Sequence, residues 1–118
     1  MALPLDAVAW ADALDPHEFK EYVAQWGTVN AANGGATIAS ATVALSAEAV
    51  TAGVVIDDAA HPPASNDDDV TIWLRVEPEN RLDAAFDGEG ATFGVEITID
   101  DSDGRTLQRT WQLTVRQR

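Results

Sequence analysis

Cysteine is absent from the 118 residues, which removes disulfides, thiolate metal sites, iron–sulfur clusters and thiol nucleophiles together. Lysine is nearly absent as well: Lys20 is the only one, and every arginine lies at or beyond position 75. The 7 basic residues face 20 acidic ones, for a formal charge of −13. Phosphate contacts need clustered Lys and Arg, so no nucleic-acid partner and no anionic membrane partner is expected. No apolar run approaches the ~20 residues of a membrane span. Residues 1–10 carry no Lys or Arg ahead of their apolar side chains, unlike a secretory signal. What is left is one domain's worth of chain, since domains most often run ~100–150 residues. A chain of this size buries roughly two-thirds of its unfolded surface, enough for one core without staples.

The strongest pattern lies at the C-terminal end. Across residues 91–100 the apolar side chains alternate as Phe93, Val95, Ile97 and Ile99, with Thr92, Glu96 and Thr98 between them. Residues 106–116 repeat the pattern with Leu107, Trp111, Leu113 and Val115 against Gln108, Thr110, Gln112 and Thr114. Period-2 alternation marks half-buried strands. The connection Asp100-Asp101-Ser102-Asp103-Gly104-Arg105 has the Asp, Ser and Gly of a hairpin loop. Arg109 interrupts the second apolar row, as at a strand end or a bulge.

A third strand is expected over residues 70–76, with Val70, Ile72, Leu74 and Val76 inward and Thr71, Trp73 and Arg75 outward. Residues 36–45 and 50–56 supply a fourth and a fifth. Residues 57–69, with Pro62-Pro63, read as a loop, and residues 77–90 as an irregular segment in which Leu82 and Phe86 mark a short strand. Short strands at this spacing, separated by turn residues, predict an antiparallel sandwich. Residues 15–27 carry two patterns. Asp15, Pro16, Glu18 and Gly27 have the spacing of a helix start and stop, and Phe19, Tyr22, Val23 and Trp26 share a helical face. Tyr22, Ala24 and Trp26 also alternate as in a strand.

Several of these segments, taken in order, resemble a family of small phage virion proteins with an immunoglobulin-like fold, described as fibre–tail adaptors. The resemblance rests on Asp15-Pro16-His17-Glu18 leading to Tyr22 and Trp26, then on Ala36-Thr37-Ile38-Ala39-Ser40. It continues with Val70-Thr71-Ile72-Trp73-Leu74 and ends on residues 95–115 with Gly104-Arg105 at the hairpin tip. It covers residues 15–116. It implies an all-β immunoglobulin-like sandwich of about seven strands, and it implies a strand rather than a helix over residues 19–26. It also implies a non-enzymatic virion structural protein joining a fibre or accessory component to the tail or neck. Its partners would be other virion proteins, with several copies in a symmetric assembly. This chain departs from the family after Trp73-Leu74, where Arg75-Val76-Glu77-Pro78 stands in place of small, Gly-rich residues.

Catalytic and cofactor chemistry finds little footing. His17 and His61 are the only histidines, and each sits beside a proline in a loop-like context. There is no G-x-S-x-G, H-E-x-x-H or phosphate-binding loop. The acidic groups at residues 57–58, 67–69 and 100–103 lack full calcium-loop spacing and read as solvated loops. No catalytic residue, cofactor or metal ligand is therefore assigned. The aromatic residues are more informative. Trp111 shares parity with Leu113 and Val115 and belongs to the core. Trp73 shares its face with Arg75, which leaves two readings open: cover for a sheet face, or interface anchor.

Residues 1–14 hold Leu3, Leu5, Val8, Trp10 and Leu14 ahead of Asp15-Pro16, and proline pushes its predecessor out of helical geometry. This predicts an N-terminal arm over 1–14 ahead of a domain over 15–118, docking on a neighbouring subunit and removable without loss of the sandwich. The candidate interface residues are Leu3, Leu5, Val8, Trp10, Trp73 and Arg75. Two other roles suit the same features: a capsid-decorating or head-fibre protein, or a carbohydrate-binding accessory module with Trp73 or Trp10 as its platform.

Overall fold

The computed structural model describes residues 3–4 and 6–118. The chain folds as an all-β sandwich of two sheets. In chain order its elements are β1 (Val8–Ala9), β2 (Phe19–Gln25), α1 (Gly27–Ala32), β3 (Ile38–Leu45), α2 (Ala47–Thr51), β4 (Val54–Ile56), β5 (Ala64–Ser65), β6 (Asp69–Val76), β7 (Ala91–Asp101) and β8 (Thr106–Val115). One sheet has the order β1-β8-β7-β3 and the other β2-β6-β4, with β5 paired to the start of β6. Lettered as in immunoglobulin domains, these are A-G-F-C and B-E-D, with the first strand moved to the G side. That first strand runs parallel to β8, whereas the other pairings are antiparallel.

The alternation seen in the sequence is the alternation of the core. Val70, Ile72, Leu74 and Val76 of β6 are fully buried and face Val95, Ile97 and Ile99 of β7 and Leu113 and Val115 of β8. β7 and β8 form an unbroken ladder from Ala91↔Val115 to Asp100↔Thr106. Arg109 keeps its place opposite Ile97 with no bulge, and is exposed. At the hairpin tip Asp101 accepts bonds from the backbone N–H of Asp103 (2.9 Å) and Arg105 (2.8 Å) and from the Arg105 guanidinium (3.2 Å). Burial pushes the Asp101 pKa up, but these donors outweigh it and hold the carboxyl below the usual carboxylate range.

Residues 19–25 are a strand. Tyr22 and Ala24 point inward, and Trp26 follows fully buried in the core. The helix-start chemistry is present but closes a turn. The Glu18 side chain accepts from the Asp15 N–H (2.7 Å), while the Glu18 N–H returns to the Asp15 carbonyl (2.8 Å). Pairing with β6 over seven residues, Phe19↔Arg75 to Gln25↔Asp69, overrides the helical periodicity. Residues 50–56 are also shorter in strand than expected. Ser46 caps α2 by accepting from Ala49 N–H (3.2 Å), so only Val54–Ile56 remain extended. Residues 77–90 form two 3-10 turns that bury Phe86, not a strand. The chain leaves this segment at Gly90, whose φ of 77° and close approach to the Val115 carbonyl admit no side chain.

The expectation of a separable arm over residues 1–14 does not hold for the residues from Val8 onward. Val8 and Ala9 pair with Trp111 and Gln112 of β8. Leu14 is fully buried: its N–H donates to the Thr114 carbonyl (2.9 Å), and its carbonyl accepts from Arg116 N–H (3.0 Å). Asp12 accepts from Lys20 and, at 2.7 Å, from the Arg118 guanidinium, and both hold its carboxyl below the usual range. The Asp15 carboxylate accepts from the backbone N–H of His17 (2.8 Å) and Arg118 (2.8 Å), with the same effect. Asp15-Pro16 is therefore a turn inside the domain, not its boundary. Parallel pairing at a sheet edge needs only two residues of strand here, too few for an alternation pattern to show.

Candidate functional site

The outer face of the β2-β6-β4 sheet carries the most distinctive side-chain cluster. Because side chains alternate across a strand, Trp73 and Arg75 of β6 point away from the core while Ile72, Leu74 and Val76 point into it. The β2–β6 register sets Phe19 opposite Arg75 and Glu21 opposite Trp73. The loop after β4 then folds back over the sheet. Its anchor is a backbone bond from Asp57 N–H to the Trp73 carbonyl (2.9 Å). The Asp57 carboxylate in turn lies 3.1 Å from Nδ1 of His61. Held there, the His61 imidazole stacks on the Trp73 indole with centroids 4.1 Å apart and planes 22° apart. Phe19 meets both rings edge-on, at 5.3 Å from Trp73 and 5.6 Å from His61.

Three aromatic rings from three chain segments thus form one patch. Phe19 is 47% exposed and Val23, farther along the same face, is 40% exposed. Arg75 sits at the edge of the patch with its guanidinium 3.5 Å from the Glu77 carboxylate. The arrangement suits contact with another protein: flat apolar rings at the centre, a guanidinium beside them, and acidic groups around the rim. Edge-to-face and offset contacts of this kind add ~0.5–1.5 kcal/mol beyond area burial, which favours this ring arrangement before any partner arrives.

The other residues singled out from the sequence lie elsewhere. Leu3 packs over Gly94 on the outer face of the opposite sheet, where a Cβ on Gly94 would come within 3.1 Å of it. With Pro4 it lines a cavity of about 230 Å³ bounded by Ala44, Ser46, Phe93 and Thr110. Val8, at the β1 edge, is 51% exposed. Trp10 is half-buried: it packs 5.0 Å from Tyr22 and 6.4 Å from Trp111 and donates its indole N–H to the Val23 carbonyl at 2.8 Å. Leu5 lies outside the described residues. The five described candidates therefore fall on separate surfaces, and among them only Trp73 and Arg75 come together.

Phe19 and His61 were missed by sequence reasoning. The sequence pattern sets Phe19 on a helical face with Tyr22, Val23 and Trp26, and only the β2–β6 pairing brings it to Trp73; His61 stands in a Pro-rich loop without periodicity. His17 is exposed and paired with Asp15 at 3.4 Å. Oxygen atoms of the Asp100–Asp103 loop are engaged inside the protein, since Asp100 accepts from Ser40 (3.2 Å) and Thr106 (2.7 Å). Among the described residues no group of three or more His, Asp or Glu side chains converges as a metal site. No helix among them is long and apolar enough to cross a membrane.

No protein-family model, curated protein or solved structure matches the chain.

Proposed function

We propose that the domain is a non-enzymatic phage virion structural protein, an adaptor that joins a fibre or accessory component to the tail or neck. The observation that carries this reading is the Phe19–His61–Trp73 patch with Arg75 beside it. It is a preformed, half-exposed platform whose Trp73 and Arg75 are of the residue types enriched at protein–protein hot spots. The order of segments that resembles the adaptor family, residues 15–116, adds the particle context. In this reading the sandwich is rigid, the patch seats on a neighbouring subunit, and the strongly acidic remainder favours a basic partner surface. Copies around a symmetry axis would each offer the same patch.

The test is a particle assembled with a Phe19→Ser/Trp73→Ala variant. The variant is expected to keep its cooperative melting transition and to disappear from purified particles, while the unaltered protein appears in the particle reconstruction at the tail or neck. Density on the shell exterior would favour the capsid-decorating or head-fibre role. Absence of the unaltered protein from particles would overturn the virion reading altogether.

The same aromatic platform favours one reading of another class, a carbohydrate-binding accessory module. Sugars stack on open indole faces, whereas His61 occupies one face of Trp73 at 4.1 Å. Glycan-array binding that is lost in Trp73→Ala and gained by opening the stack with His61→Ala would favour it over the adaptor.

A further inference from the structure

Among the described residues no strand pairs with the outer edge of β3 in the β1-β8-β7-β3 sheet, although β4 and β5 of the other sheet lie close to it. The Ser46 N–H donates to the Gly94 carbonyl at 3.0 Å, which makes Ser46↔Gly94 a hydrogen-bonded pair. Antiparallel pairs alternate, so Thr42↔Thr98 and Ala44↔Glu96 are also hydrogen-bonded pairs. Ala41, Val43 and Leu45 therefore turn their N–H and C=O groups away from β7. Among the described residues these groups have no backbone or side-chain partner. The start of the strand is different: Ile38 N–H donates to the Asp67 carbonyl at 2.9 Å, and the register shifts between Ile38 and Ser40. The open edge begins after that shift.

Natural edge strands are blunted by lysine, proline, bulges or inward charges. Residues 40–46, Ser-Ala-Thr-Val-Ala-Leu-Ser, have none of these. In a chain of formal charge −13, a stretch from Ala36 to Ala47 without any charged residue is the place where a second copy can approach.

We propose that two copies of this chain pair antiparallel through β3, joining their four-stranded sheets into one continuous sheet. A twofold axis at Val43 sets Val43 opposite Val43 and Ala41 opposite Leu45. Each chain then donates from, and accepts at, the backbone groups left open. On the outer face the same register sets Thr42 against Ala44 and Ser40 against Ser46, so every cross-strand pair is small and neutral. On that face Glu96 and Asp100 belong to β7 and are separated from their counterparts by three strand spacings. At ~4.8 Å each that is roughly 14 Å, beyond the Debye length of ~8 Å at physiological salt. The occupant is a second copy because the edge is self-complementary and neutral, whereas a basic partner would be drawn to the acidic surface around it. The inference is independent of the virion reading.

Sedimentation equilibrium on the full chain tests it, together with amide exchange at Ala41, Val43 and Leu45 at low and high protein concentration. Dimer is expected to build up with concentration, and exchange at those three amides is expected to slow by tenfold or more in parallel. Val43→Pro removes an outward N–H that β7 does not use, so the variant is expected to stay monomeric at every concentration. Ala41→Pro is the second variant should Val43→Pro fail to fold, and it carries the same expectation. A chain that is monomeric up to about millimolar concentration overturns the proposal. So does a dimer that persists in a folded proline variant, or one in which the three amides exchange at the same rate as in the monomer.

Discussion

Trp10 is tied to Val23 across the sandwich: its indole N–H donates to the Val23 carbonyl at 2.8 Å, joining the segment after β1 to a strand of the other sheet. The ring fills the space between Tyr22 and Trp111. An apolar segment that looks suited to a neighbouring subunit is thereby used to close the domain's own open side. It follows that residues 8–14 carry stability.

Leu14 is fully buried, so Leu14→Ala is expected to cost ~2–5 kcal/mol, a large part of the ~5–15 kcal/mol of a small domain. Trp10→Phe keeps a ring in place and loses the bond to Val23, for ~1 kcal/mol. Urea midpoints measure both. Truncation of residues 1–14 is expected to abolish the cooperative transition. A truncated chain with an unchanged midpoint would return these residues to the role of a separable arm.

Trp111 is 4% exposed and packs 5.3 Å from Trp26 and 6.4 Å from Trp10. Trp111→Ala should cost ~3–5 kcal/mol and remove most of the near-ultraviolet circular dichroism that this indole cluster produces. A midpoint within error of the unaltered protein would contradict the packing.

Acid stability has a definite sign. Asp12, Asp15 and Asp101 have folded pKa values below their usual ones. Their contribution is fully present above the unfolded value of about 3.9 and is lost as pH falls through the lower folded values. Urea midpoints are expected to be flat between about pH 5 and 7 in this respect and to drop below about pH 4. Asp101→Asn should be less stable than the unaltered protein at neutral pH, and the gap should narrow on acidification. A gap that is constant with pH would mean that the Asp101 charge contributes nothing.

Two glycines with nearly the same φ separate strain from contact. Gly34 has φ 78° with open space around it, whereas at Gly90, φ 77°, an added Cβ runs into the Val115 carbonyl. Gly34→Ala is expected to cost ~1–2 kcal/mol from the left-handed conformation alone. Gly90→Ala should cost clearly more, because β8 must move to admit the methyl group. Equal midpoints for the two variants would show that β8 yields freely there.

Elements whose signal is local can be read directly from the order of residues. The rows Phe93, Val95, Ile97, Ile99 and Val70, Ile72, Leu74, Val76 announce strands because burial of one face imposes period 2, and the Asp-Ser-Asp-Gly connection announces the hairpin between β7 and β8. The two-sheet fold class follows from those strands and their spacing. Features that depend on pairing between distant segments are set only in the folded chain. Residues 19–25 carry helical and strand periodicities together, and only the seven-residue ladder with β6 selects the strand. Val8–Ala9 is too short for periodicity, so its place beside β8 comes from the Leu14 and Trp10 contacts. The Phe19–His61–Trp73 patch arises where the β2–β6 register and the fold-back of residues 57–61 coincide, and the edge of β3 is open because no described strand pairs with it. Such features are set by which backbone groups find partners across the whole fold, and no window of neighbouring residues carries that information.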